Sequence, residues 1–167
     1  MNTAPGASRH HIVTALVENK PGVLARVSSL FARRGFNIYS LAVAPTHDES
    51  LSRITIVVDV ESAPLEQIVK QLDKLINVVA IDELAPADAI EREIMLVSVR
   101  VDAGSHDEVL ALAAEYDGVL LEDTAEVLTM SLGGTPEEID ALTTRLGDRV
   151  VAYQRTGRIA LPRAGRA

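Results

Sequence analysis

The chain has 167 residues, 16 basic and 24 acidic, for a formal charge of -8, and 47% of it is hydrophobic. That is a folded globular composition, long enough for one domain or two small ones. An acidic chain with 3% aromatics lacks the basic face and stacking rings of a nucleic-acid binder, and zero cysteines exclude disulfides, thiolate metal sites and a thiol nucleophile.

Residues 1–9 show no periodicity and read as a loose arm. From His10 to Glu18 the apolar run Ile12, Val13, Ala15, Leu16, Val17 is continuous, as in a central strand. Pro21-Gly22 stops it. Val23, Leu24, Val27, Leu30 and Phe31 then follow at helical spacing, and Gly35 is placed to close that helix. A second strand, 38–44, ends in the polar turn Pro45-Thr46-His47-Asp48-Glu49, and a third covers 53–60. Ser62-Ala63-Pro64 starts a helix carrying Leu65, Ile68, Val69, Leu72 and Ile76, and a fourth strand covers 78–84. This order, βαββαβ, is that of a ferredoxin-like plait.

Residues 86–92 read as a linker, and the same order then recurs over 93–163. A strand at 94–101 precedes a capping box at Ser105-His106-Asp107-Glu108 and a helix with Val109, Leu112, Ala113 and Tyr116 on one face. Strands follow at 119–121 and 127–132. A second capping box, Thr135-Pro136-Glu137-Glu138, heads a helix with Ile139, Leu142 and Leu146, closed by Gly147. Short strands at 150–153 and 159–161 complete an α+β chain of two ferredoxin-like units, with a tail at 164–167.

Candidate chemistry is sparse. His10 and His11 point to opposite faces of a strand, while His47 and His106 are isolated, so all four read as surface histidines rather than metal ligands. Glu91, Glu93, Glu137 and Glu138 read as helix-cap and solvated-face residues, and no serine lies in a nucleophile elbow. Arg149, Arg155, Arg158, Arg163 and Arg166 form an arginine-rich end, either solvated or a docking surface for an acidic partner. No apolar run approaches a membrane span and the N-terminus lacks a signal peptide's apolar region, so a cytoplasmic protein is expected.

One place stands out. After Pro21-Gly22 a helix opens whose first N–H groups can hold a negative charge. Asn19, Gly22 and Asn37 are read as converging at that helix end. Gly22 leaves the approach open, and each amide can donate to a carboxylate or accept from an ammonium. An α-amino acid carries both groups.

The run ENKPGVLARVSSLFARRGFNIYSLAVAPTHDESLSRITIVV resembles the ACT domain of acetolactate synthase (acetohydroxyacid synthase) regulatory small subunits. LEQIVKQLDKLINV, EREIMLV and RTGRIAL look like the same family, so the resemblance spans residues 10–163. It implies a non-catalytic chain that activates a large catalytic subunit and confers feedback inhibition by a branched-chain amino acid, usually valine. Thiamine diphosphate, Mg and FAD are then expected only in that catalytic subunit, with no cofactor in this chain. The resemblance further implies a homodimer through the ACT domain at 10–85, with effector contacts at Asn19, Gly22 and Asn37, and Val23, Leu24 and Ile38 nearby. The second domain is expected to contact or tune the catalytic subunit. Tyr39 departs from the family pattern, which has an acidic residue there, and 117–132 matches loosely. The other class open to the sequence is a stand-alone amino-acid-sensing ACT protein without an enzyme partner.

Overall fold

A computed structural model describes residues 10–59 and 65–164. The arm at 1–9, the helix start at Ser62-Ala63-Pro64 and the tail beyond 164 lie outside the described residues. The elements are β1 (His10–Glu18), α1 (Val23–Arg33), β2 (Ile38–Pro45), β3 (Leu51–Asp59), α2 (Leu65–Leu72) and β4 (Val78–Leu84). They continue with β5 (Ala89–Arg100), α3 (His106–Ala114), β6 (Val119–Asp123), β7 (Val127–Gly134), α4 (Pro136–Leu146), β8 (Val150–Arg155) and β9 (Ile159–Pro162).

Two sheets form, ordered β2-β3-β1-β4 and β6-β7-β5-β8, so the second repeats the first strand for strand. Each is a ferredoxin-like unit. The chain divides into a first compact unit that runs to Ile90 and takes in the chain again from Arg158, and a second, Glu91–Gly157.

In the first unit β1 lies between β3 and β4, antiparallel to both, which is why its apolar run is continuous. Val13, Ala15 and Val17 pack against Val23, Val27, Leu30 and Phe31 of α1 and Ile68 and Leu72 of α2. The opposite face of the sheet is also covered, where Ile12, Val57 and Leu84 cluster with Ala89 and with Ala160 of β9. β9 pairs with β5, a strand whose first residues, Ala89 and Ile90, lie in the first unit.

Helix α1 stops where the sequence says it should. Gly35 (φ +73) takes the left-handed conformation, its N–H donates to Ala32 O (3.1 Å) and the Phe36 N–H to Phe31 O (3.1 Å). This is a Schellman closure, and its apolar contact is present as Phe31 against Phe36, ring centroids 6.4 Å apart and nearly perpendicular.

The second unit buries Met95, Val97 and Val99 of β5 and Leu128, Met130 and Leu132 of β7 beneath Val109, Leu112, Ile139, Leu142 and Leu146. Thr135 forms its capping box, accepting from the Glu138 N–H (3.2 Å) while Glu138 Oε2 accepts from the Thr135 N–H (2.6 Å).

Several expectations change. The capping box at Ser105 does not form; Asp102 displaces it, its Oδ1 accepting from the Gly104 N–H (3.0 Å), the Ser105 N–H (2.9 Å) and Ser105 Oγ (2.7 Å). The Ser105 hydroxyl is turned back to Asp102, donating to its carboxylate and accepting its N–H (3.0 Å), so it does not serve the Glu108 N–H that a capping box would take. Residues 86–92 are not an open linker, because a 3-10 turn at Pro86–Asp88 runs straight into β5 at Ala89. Residues 158–163, expected in the second domain, belong to the first unit, since burying Ala160 covers the far face of that sheet.

Glu93 is no solvated-face residue. It is buried in β5 and held by Arg155, Nε to Oε1 at 2.9 Å and Nη2 to Oε2 at 2.6 Å, with Arg155 Nη1 on Asp140 at 2.6 Å. Arg149 is paired with Glu108, and Arg158 is buried, so these members of the arginine-rich end are structural cations. Arg166 lies outside the described residues. Among the described residues no helix is long and apolar enough to cross a membrane.

Candidate functional site

The corner between β1 and α1 is built by a tight turn. Lys20 N–H donates to Glu18 O (3.0 Å), Val23 N–H to Lys20 O (3.3 Å), and Gly22 at φ +85, ψ -10 caps the helix. That left-handed conformation favours glycine, and a Cβ placed there would meet nothing within 4 Å. The approach to the helix end is therefore open.

The corner is also electrostatically uncompensated. Helix α1 has no side-chain cap and no acidic residue in its first turn, whereas α2 has Glu66, α3 has Asp107 and Glu108, and α4 has Glu137 and Glu138. Arg26 N–H makes the first bond of the helix, to Gly22 O at 3.1 Å, and the Leu24 and Ala25 N–H groups have no partner among the described residues. Unsatisfied donors at the positive end of a helix dipole suit a carboxylate.

Around this opening the remaining side chains divide in role. Asn19 is held to the loop after β2, its N–H on Ser50 O (2.7 Å) and its Nδ2 on Glu49 O (2.9 Å), which leaves its Oδ1 as the available acceptor. Val23 is buried in the core and contributes only backbone to the corner, while Leu24 is 41% exposed beside it. Asn37 is exposed and Ile38 is half-buried against the core.

The sequence reading missed a bracket behind the corner. Asn77, at the start of β4, accepts from Arg26 Nη1 at 2.6 Å, donates through Nδ2 to Glu18 Oε2, and accepts the Glu18 N–H on its own carbonyl at 2.9 Å. The amide of Asn77, then Lys20 (3.0 Å), hold the Glu18 carboxyl below its usual range, so it stays ionised and anchored. Nothing in local spacing points from Asn77 to Glu18, because the link spans 59 residues.

The structure does not bring Asn37 to Gly22 within one chain. Gly22 precedes α1 and Asn37 follows it, and an 11-residue helix is about 16 Å long. The sheet register agrees: Ile38 is level with Val58 and His11, whereas Glu18 pairs with Leu51 and Pro45 with Ser52 at the other end. A chain thus carries two separated corners, one at each end of α1. Between them runs β2, an edge strand on which Tyr39 and Val43 are 48% and 44% exposed.

Tyr39 is not alone on that edge. His10 stacks on its ring at 4.3 Å between centroids, and the Arg158 guanidinium lies 5.0 Å from the ring centre. Burial first, then Arg158, lowers the His10 pKa, against an opposing pull from Asp59 at 4.0 Å. His10 is a packed neutral ring rather than a free surface histidine.

Elsewhere a cleft of about 320 Å³ lies along α3, lined by Glu108, Ala111, Leu112, Glu115, Arg145 and Arg149. Its charges already satisfy one another, Arg145 bridging both oxygens of Glu115 (2.6 and 3.3 Å) and Arg149 both of Glu108 (3.2 and 3.3 Å). Among the described residues no group of three His, Asp or Glu is placed to hold a metal.

Comparison with known proteins matches both units. Residues 13–80 match the family described as AHAS small subunit-like ACT domain, and residues 92–164 that described as small subunit of acetolactate synthase. The chain is 50% identical over 132 residues to the acetolactate synthase small subunit of Mycolicibacterium smegmatis, covering 79% of this chain and 78% of that one. It is 40% identical over 154 residues to the isozyme 3 small subunit of Escherichia coli, covering 91% and 94%. A crystal structure of the small subunit from Thermotoga maritima superposes with a TM-score of 0.85 at 36% identity, covering 93% of this chain and 98% of that one.

Proposed function

The chain belongs to the acetolactate synthase small-subunit family, and from that premise we propose that it is the regulatory subunit of an acetolactate synthase holoenzyme. It activates a large catalytic subunit, which carries the thiamine diphosphate, Mg and FAD, and it confers feedback inhibition by a branched-chain amino acid, valine foremost.

The observation that carries this reading is the separation of the two corners. A two-fold pairing of β2 with its copy would run the strands antiparallel, setting the Ile38 end of one chain against the Pro45 end of the other. That pairing removes an unprotected sheet edge. It also sets the partner's Asn37 beside the open N–H groups of Leu24 and Ala25, so the one seam holds two equivalent sites, each made of two halves. The effector carboxylate takes the helix end, its ammonium the amide oxygens of Asn19 and the partner's Asn37, and its branched side chain lies against Leu24 and the partner's Ile38.

An effector held at such a seam biases the assembly only through unequal affinity for its states, and about 1–3 kcal/mol of coupling suffices for clear inhibition. The test is reconstitution with the purified catalytic subunit, titrated with valine, leucine and isoleucine. Stimulation by the native chain and inhibition by one of the three are expected. Asn37→Ala should weaken inhibition by about tenfold while leaving stimulation intact. Inhibition unchanged in that variant would sink the site.

A further inference from the structure

The chain leaves the second unit and re-enters the first within three residues. Arg155 is anchored in the second unit on Glu93 and Asp140, and Thr156 there accepts from the Ile94 N–H at 3.1 Å and donates its own N–H to Ile94 O at 3.0 Å. Gly157 turns the chain at φ +82. The next residue, Arg158, is already in the first unit and only 6% exposed.

What Arg158 holds there is the effector strand. Its N–H donates to Ser40 Oγ at 2.8 Å and its guanidinium covers the Tyr39 ring, whose contact with His10 fixes it on β1 as well. At this point β2 breaks register: Ile38 pairs with Val58 but Ser40 with Val57, leaving Tyr39 as the extra residue of a bulge. Bulges re-aim the side chains around them. This one directly follows Asn37 and Ile38, and the grip falls on both residues that define it. The Arg158 side chain is almost wholly buried with its guanidinium over the Tyr39 ring, so the bulge and the Arg158 position are set together.

We propose that Arg158, through Tyr39 and Ser40, is the positioning residue that couples the effector half-site on β2 to the segment entering from the second unit. The inference rests on the reading of Asn37 and Ile38 as effector contacts. It assigns a task to Tyr39, the residue that departs from the family pattern, and to one arginine of the C-terminal cluster.

The test uses the full chain, alone and reconstituted with the catalytic subunit, and measures branched-chain amino-acid binding by calorimetry separately from inhibition. Arg158→Met keeps the volume and removes the cation; Tyr39→Leu removes the ring face and leaves Arg158 in place. Both should bind effector within about twofold of the native chain, yet need at least tenfold more effector for half-inhibition. Arg158→Lys should recover part of the loss, since an ammonium can also sit over the ring. If binding and inhibition fall together by the same factor, Arg158 is merely structural and the proposal fails; unchanged inhibition in both variants also overturns it. A native chain that binds none of the three amino acids overturns the effector reading itself, and shows this before any variant is made.

Discussion

Gly22 separates backbone strain from charge, because its φ of +85 penalises any side chain while its surroundings accommodate one. An alanine there adds a Cβ that meets nothing within 4 Å, so its cost is the left-handed backbone alone, about 1–2 kcal/mol. For a chain of this length that lowers the thermal midpoint by about 2–8 °C. Aspartate carries less strain, since acidic and amide residues enter the left-handed region more readily. What it adds is a second negative charge near the effector carboxylate. At about 5 Å and an effective dielectric near 20, two such charges repel by about 3 kcal/mol, and solvent screening at an exposed corner reduces this to roughly 1.5 kcal/mol. That is about a tenfold loss of effector affinity. The expected pattern is therefore crossed: Gly22→Ala loses more stability and little sensitivity, and Gly22→Asp the reverse. Differential scanning fluorimetry reads the first quantity and effector titration of the reconstituted enzyme the second. Equal loss of sensitivity in both variants would refute the charge argument, and no loss in either would remove the corner from the site.

Two further outcomes follow from local contacts in the second unit. Thr135→Ala removes the hydroxyl that accepts the Glu138 N–H at 3.2 Å and should cost about 1 kcal/mol, or about 2–4 °C, with effector response unchanged; a fall in effector sensitivity would show that the cap serves more than α4. His106 is held above its ordinary 6.5 by Asp123, bonded to Nε2 at 2.8 Å, and then by Asp107. A raised histidine contributes its stability in full below the unfolded value and loses it as pH climbs through the folded one. The midpoint difference between the native chain and His106→Gln should thus be widest near pH 6 and close towards pH 9, and a gap independent of pH would mean that the ion pair is not its source.

The periodic parts of this chain were legible because periodicity is local. The apolar run of β1 marked a central strand, Gly35 marked the end of α1, and the repeated element order announced two units. Contacts between distant positions were not legible. Asp102 engages the Ser105 hydroxyl that would be expected to cap α3, and Asn77 reaches back to Glu18 and Arg26. Proximity in sequence also misled: Asn37 seemed able to join Gly22 because both flank one helix, yet a helix separates its flanks by its full length. Likewise, nothing local says that Ala160 closes a core begun at Ile12. A fragment ending at residue 85 would leave Ile12, Val57 and Leu84 uncovered, so isolating the ACT portion requires the C-terminal strand.

Asp102 carries a consequence for the duplicated fold as a whole. In the second unit the strand-to-helix corner equivalent to Gly22 is ringed by the chain's own carboxylates, Asp102 on the Gly104 and Ser105 N–H groups and Asp107 and Glu108 in the first turn of α3. A negatively charged group arriving there would be repelled by those carboxylates. The two copies of one fold thus differ in charge at the same corner, since α1 has no acidic residue in its first turn. An anion offered to both corners is therefore expected to favour the one in the first unit.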